Sequence, residues 1–275
     1  MLHDPARMVL LATAIAFKAA TGTAQAADPL PSWNEGATKR AIVNFVDRAT
    51  SIDSPDFVPP GERIATFDND GTLWCEQPNY IQAEFLIARV KALASEHPEW
   101  QKHQPHAAIL RGDMRDAIAG GEQGFADLIT SLHGGQTPEQ FQEFVREWFS
   151  TARHPRFQRP YTECVYQPML ELLAHLREHG FKTYIVTGGG ADFVRTVSQE
   201  IYDIPPEQVI GSSIRTKFAE RNGVFEILRQ PEIEFIDYGA GKPIGIERFI
   251  GRQPRAAFGN SDGDVAMLQW TTTGP

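Results

Sequence analysis

The stretch from residue 168 onward limits most strongly what this chain can become. There, segments of helical period alternate with short apolar runs. Residues 168–179 repeat Met169, Leu172, Leu173 and Leu176 on one helical face, and Gly180 supplies the stop. Residues 181–186 (FKTYIV) read as a strand, and Gly188, Gly189 and Gly190 turn the chain into a helix through about residue 202. A short strand at 208–210 and a hairpin at 214–228 follow, with Arg221-Asn222-Gly223 as its turn. A helix at 242–250 and a strand at 256–258 complete the series. Strands that alternate with helices build a parallel sheet covered on both faces. The expected class is therefore α/β, a Rossmann-like parallel sheet.

Upstream, residues 37–50 form an amphipathic helix with Ile42, Phe45, Val46 and Ala49 on one stripe, and proline keeps residues 54–61 a loop. Residues 63–67 (RIATF) read as a buried first strand, ending at Asp68-Asn69-Asp70-Gly71. From 79 to about 152 the pattern is almost all helical. Ile81, Phe85, Ala88 and Ala92 recur at helical spacing, and Thr137-Pro138 opens a helix with the stripe Phe141, Phe144, Val145, Trp148 and Phe149. That aromatic stripe reads as helix packing rather than a ligand box. The plan is discontinuous: residues 28–75 and 165–275 form the α/β core, and residues 76–164 a helical insert.

The chain has 275 residues, a net charge of −9 and 41% hydrophobic residues. It has enough apolar material for a sizeable core, which excludes a mainly disordered chain, and the acidic balance argues against nucleic acid as partner. Two cysteines exclude a disulfide scaffold and a cysteine-built zinc cluster. Residues 8–17 (MVLLATAIAF) are an apolar run too short to span a bilayer, and Ala24-Gln25-Ala26 fits a cleavage site. Residues 1–27 are therefore expected to be a signal peptide, giving a periplasmic or secreted protein with no membrane segment in the mature form; if the segment is not a signal, the protein would be cytoplasmic. In an oxidising compartment Cys75 and Cys164 could pair, although two separate buried thiols is the simpler reading.

Ligands of open α/β sheets bind outside the carboxyl ends of the strands. The residues that matter thus follow Phe67, Val186 and Phe258. Asp68 and Asp70, spaced i, i+2, point the same way if the backbone stays extended, and like charges so close need a cation or a shared proton. Asp-Asn-Asp-Gly is equally good turn chemistry, so both readings stand. Thr187, with Gly188 and its neighbours, offers a hydroxyl and backbone N–H groups to an anion such as phosphate. Lys242 opens a helix, and Asn260, Asp262 and Asp264 are oxygen donors suited to a hard cation such as magnesium. Together these clusters supply what phosphoryl transfer through a carboxylate nucleophile needs.

In these clusters the chain resembles the haloacid dehalogenase superfamily phosphatases, close to their phosphoserine-phosphatase-like branch. The motif F-D-N-D-G-T-L at 67–73, the strand ending in Thr187-Gly188, Lys242 in G-K-P-I-G-I, and G-N-S-D-G-D at 259–264 carry the resemblance, over about residues 63–270. The insert resembles the helical cap of that branch. The resemblance implies that Asp68 attacks phosphorus to form an aspartyl-phosphate. Asp70 would act as acid and then base. Thr187, Gly71 and Gly188 would bind the phosphoryl group, and Lys242 would offset its charge. Mg2+ would sit on Asp68, the carbonyl of Asp70 and Asn260, with Asp264 in support. Asn260 departs from the family's Asp, which implies weaker metal binding or replacement by Asp262 or Asp264.

The family's dehalogenases lack the second Asp, so Asp70 favours a phosphatase. The expected function is a magnesium-dependent phosphomonoester hydrolase acting on a small phosphorylated metabolite. The alternatives are a phosphotransferase of the same mechanism and a catalytically weak phosphate-ligand binder. Asn260 motivates the weak binder, as does an end only eleven residues past Asp264, where a sheet edge is expected to lie uncovered. Glu76, Arg111, Arg115, Arg153 and Arg156 are the candidates for substrate selection.

Overall fold

The computed structural model describes residues 28–113, 116–117, 128–129, 131–132 and 134–273. The expected export segment and Arg115 lie outside the described residues. Five strands form one sheet in the order β4-β3-β2-β1-β5. β1 (Ile64–Phe67) lies at the centre of the parallel part, with all four residues buried. It pairs in parallel with β2 (Lys182–Gly190) and β5 (Ala256–Phe258). β3 (Val209–Arg221) runs parallel to β2, and β4 (Val224–Phe235) returns antiparallel to β3. The turn between them has Asn222 and Gly223 at φ 55° and 80°, the left-handed pair that a two-residue hairpin turn requires.

Two sequence expectations are corrected here. The strand at 208–210 and the first arm of the hairpin are one continuous strand. Gly211-Ser212-Ser213 read as a break, but Ser212 Oγ donates to Gly188 O (2.8 Å) and accepts from Asp237 N–H (3.0 Å), which holds that stretch extended between β2 and β4. The three glycines likewise do not open a helix. They prolong β2, where Gly190 pairs with Ser212 after a register shift. Two short helices follow instead of one, α6 (Ala191–Arg195) and α7 (Ser198–Tyr202). The break falls at Thr196-Val197, where Thr196 Oγ1 bonds Asp192 O (2.8 Å) and the φ of Val197 is −126°. Two adjacent β-branched residues resist helical packing at that point.

Residues that alternate along the strands feed two separate cores. Phe67, Ile185 and Val209 join Leu172, Leu173 and Leu176 of α5 (Gln167–Glu178) on one side. Val186 and Ile210 meet Ile246 of α8 (Gly241–Ile250) and Met267 of α9 (Val265–Thr272) on the other. The sheet is thus covered on both faces, as its continuous apolar strands demand. The N-terminal helix α1 (Ala37–Thr50) adds Val46 and Ala49 to the first core. β5 forms one edge of the sheet, with α9 packed beside it.

Between β1 and α5 lie, among the described residues, α2 (Ile81–Leu93), α3 (His106–Arg111) and α4 (Pro138–Thr151). Thr137 and Gln140 cap α4 reciprocally, at 3.2 and 3.0 Å. The aromatic stripe is packing, as expected: Phe85 meets Phe141, Trp148 and Phe193 at 5.9, 5.7 and 5.4 Å between ring centroids. The expected stripe of α2 is partly wrong. Ala92 is exposed, and the buried set includes Leu86, Ile87 and Val90, because α2 has apolar residues around most of its circumference and packs on more than one side. The chain leaves and rejoins the sheet region on two adjacent antiparallel segments. Cys75 N–H donates to Cys164 O (2.9 Å), and Tyr166 N–H to Leu73 O (3.0 Å). Both thiols are free.

Candidate active site

β1, β2 and β5 deliver their carboxyl ends to one place. Asp68 follows β1, and its N–H bonds Phe258 O of β5 (2.9 Å). Lys242, in the first turn of α8, reaches the same point with only 2% of its surface exposed. Its Nζ donates to Asp68 Oδ1 (2.6 Å), Asp264 Oδ1 (2.6 Å) and Val186 O (2.8 Å). One ammonium thereby ties the loops after β1 and β5 to β2. Burial opposes its charge, but the two carboxylates outweigh it and raise the Lys242 pKa. Burial raises Asp68 despite Lys242. Asp264 is lowered: burial acts against it, but Lys242 and the N–H groups of Ser261 and Asn260 prevail.

Both oxygens of Asp264 are occupied, one by Lys242 and the other by Asn260 N–H (3.0 Å), Ser261 N–H (2.9 Å) and Ser261 Oγ (3.2 Å). Asp264 therefore braces the loop and Lys242. In this arrangement each of its oxygens already faces at least one donor. Asp262 does not line the cleft.

Asp70 is aimed by Trp74, whose Nε1–H donates to Asp70 Oδ1 (2.8 Å). Burial pushes the Asp70 carboxyl up to about 6, against the Trp74 bond and with help from the charges of Asp68 and Glu76. Gly71, at φ 78°, reverses the chain so that Asn69 O can accept from Thr72, Leu73 and Trp74. The turn reading of Asp-Asn-Asp-Gly is thus correct, and the turn places both carboxylates at one cleft.

Thr187 is fully buried, and its Oγ1 accepts from Gly189 N–H (3.1 Å). Gly190 N–H is taken by Gln82 Oε1 (2.8 Å). The expectation of free N–H groups at a helix start is corrected at these two positions, because the glycines belong to β2 and find partners there. A cleft of about 200 Å³ opens over this floor. Asp68, Asp70, Gly188, Gly189 and Lys242 line it; Thr187, Gly71 and Asn260 do not. Its volume lies below the usual range for drug-sized ligands. Of the described candidates for selection, Glu76 lines the cleft, and Arg111, Arg153 and Arg156 do not. Arg111 pairs with Asp116, and Arg156 lies over Phe157.

The sequence reading missed Gln82, Tyr80 and Tyr238 in the lining, and Asp237 beneath it. Gln82 had a signal, a polar side chain inside an apolar helix face. Asp237 had none. It is fully buried, neither carboxylate oxygen has a partner, and burial pushes it up to about 7, with Lys242 opposing.

Among the described residues, no group of three or more His, Cys, Asp or Glu side chains could hold a metal ion. An amide and a main-chain carbonyl complete a different donor set. The inner atom of the Asn260 amide lies 3.2 Å from Asp68 Oδ2, 2.9 Å from Asp70 O and 3.1 Å from Thr72 Oγ1. With nitrogen inward, the amide donates to all three. With Oδ1 inward, three acceptor oxygens crowd one point, and Nδ2 donates outward to Glu76 Oε1 (3.3 Å). Octahedral magnesium, with ligands at about 2.0–2.1 Å, spaces neighbouring oxygens about 2.9 Å apart. The donor set therefore fits such a cation.

Residues 65–269 match the family model described as haloacid dehalogenase-like hydrolase. A search of curated proteins finds no match. Among solved structures, a conserved functionally unknown protein from Anaerococcus prevotii is 15% identical, with 84% of this chain and 82% of that one covered and a TM-score of 0.55. A protein of unknown function from Bordetella pertussis is 16% identical over 76% of this chain and 86% of that one, with a TM-score of 0.51. A phosphoserine phosphohydrolase-like protein from Francisella tularensis is 18% identical over 75% and 82%, with a TM-score of 0.40. At such identities the first two likenesses show a shared fold.

Proposed function

The chain belongs to the haloacid dehalogenase-like hydrolase family, and on that footing we propose that it is a magnesium-dependent phosphomonoester hydrolase of the phosphoserine-phosphatase-like branch, working through an aspartyl-phosphate on Asp68. The observation that carries this reading is the second carboxyl, Asp70. It is raised to about 6, held by Trp74 and shares the cleft with Asp68. An alkoxide leaving group needs a proton, and a halide does not.

In the first step an Asp68 oxygen forms a bond to phosphorus as the ester P–O bond breaks. Asp70 gives its proton to the departing oxygen. In the second, Asp70 takes a proton from water, the water oxygen bonds to phosphorus, and the Asp68–phosphorus bond breaks to release inorganic phosphate. Lys242 neutralises Asp68 and the phosphoryl charge. Gly188 and Gly189 line the space the phosphoryl group enters, while Thr187 braces that segment through Gly189. Asp68, the carbonyl of Asp70 and the Asn260 side chain would hold Mg2+, with Asp264 fixing the Asn260 loop. When bound, the cation offsets charge on the phosphoryl oxygens.

The small cleft suits a small phosphorylated metabolite. Among the described residues no helix is long and apolar enough to cross a membrane. We assign residues 1–27 to export, residues 76–164 to a cap over the cleft, and residues 28–75 and 165–275 to the core. Phosphate release from p-nitrophenyl phosphate, with and without magnesium, tests the activity. Asp68→Asn is expected to abolish it, and retained turnover in that variant overturns the assignment. Transfer of phosphate to added alcohols in place of release would make the protein a phosphotransferase.

A further inference from the structure

Resting on that reading, we propose that Glu76 is a positioning residue for the cation site: it turns the Asn260 amide so that Oδ1 faces inward, and it restores the negative charge that Asn in place of Asp removes. Asn260 has two opposed demands on it. An empty site favours nitrogen inward, donating to Thr72, Asp68 and Asp70. A cation needs the oxygen inward. Glu76 Oε1 stands 3.3 Å from Nδ2 on the outer side. It accepts there only when the amide has its oxygen facing Asp68 Oδ2 and Asp70 O. A carboxylate gains from that donor and is repelled by an outward amide oxygen, so it biases the rotamer toward the cation-ready state.

The backbone fixes this relation. Gly71 lies against both partners: a Cβ there would fall 2.7 Å from Glu76 Cδ and would collide with Asn260 Nδ2. The left-handed turn at Gly71 thus opens the space through which Glu76 reaches Asn260. Charge follows the same logic. Asp68 brings one carboxylate, which Lys242 already shares, and Asp264 is spent on Lys242 and the loop. Glu76, in the cleft lining, is the further carboxylate that touches the donor set. The charge that an Asp at 260 would hold directly is here held one hydrogen bond away.

Magnesium titration by isothermal calorimetry on the folded chain tests this, in wild type, Glu76→Gln, Asn260→Asp and the double variant. Partners one shell out from a metal typically change affinity about 10–100-fold. Glu76→Gln is expected to weaken magnesium at least about tenfold, with an unchanged metal-free melting temperature. Asn260→Asp is expected to bind at least as tightly as wild type. In that background Glu76→Gln is expected to cost little, because no amide remains to be turned. Equal affinity of wild type and Glu76→Gln overturns the role of Glu76 and leaves the proposed function standing. An equal loss in both backgrounds also overturns it, since Glu76 would then act without Asn260. If wild type binds no magnesium, the metal part of the proposed function falls and this inference falls with it.

Discussion

Replacing Asp237 by Asn should make the protein more stable at alkaline pH. The carboxyl is fully buried, has no hydrogen-bond partner on either oxygen, and is raised from 3.8 to about 7. Between those two values the folded protein keeps a proton on Asp237 that the unfolded chain has released. Stability therefore falls as pH rises from about 4 to 7, and above 7 the full cost of a buried, unpartnered carboxylate remains. A difference of about 3 pH units at about 1.4 kcal/mol each sets a ceiling near 4 kcal/mol. The buried amide of Asn also lacks partners, which returns about 1–3 kcal/mol of that. The net gain at pH 8 is about 1–3 kcal/mol, which for a chain of this size raises the melting temperature by roughly 2–12 °C. At pH 5 only about one of those three pH units has been crossed, so the advantage of the Asn variant should be smaller than at pH 8 by about 3 kcal/mol. Circular dichroism melts at pH 5 and pH 8 measure both. An Asn variant that melts at or below wild type at pH 8 refutes the argument, because the carboxylate would then be compensated.

Trp74→Phe removes the N–H that favours ionised Asp70, so the Asp70 pKa should rise, and the alkaline limb of the kcat/KM profile should move up by about one pH unit; an unmoved limb contradicts that role for Trp74. Lys242→Met strands Asp68 and Asp264 and should destabilise the fold by about 3–5 kcal/mol in urea denaturation, with loss of turnover. Gln82→Ala frees Gly190 N–H and should cost about 1–3 kcal/mol of stability, read by the same denaturation.

The sheet was legible because its strands are short apolar runs between helical periods, and that signal needs no long-range information. The location of the site followed from it: once Phe67 and Phe258 end neighbouring parallel strands, Asp68, Asp70 and Asn260 must share an edge of the sheet. The Gly188–Gly190 segment was misread because glycine marks both turns and close backbone approach. Only the pairing of Gly190 with Ser212 decides between them. Long β3 was hidden for the same reason, since Ser212 is kept in the strand by Gly188 and Asp237 rather than by its own propensity. Asp237 and Gln82 depend on partners 25 and 108 residues away, and no local pattern encodes them. The bracing by Asp264 was not legible either, because sequence shows a carboxylate but not which donors its oxygens meet.

The central claim is that Asp68 carries the phosphoryl group. The direct measurement is to mix enzyme and a phosphomonoester, quench in acid within the first turnovers, and map the modified peptide by mass spectrometry. The account predicts one added phosphoryl group on Asp68, absent in Asp68→Asn and longer-lived in Asp70→Asn, which cannot activate the hydrolytic water. Phosphate release from wild type with Asp68 unmodified throughout, or with the group on another residue, would contradict it.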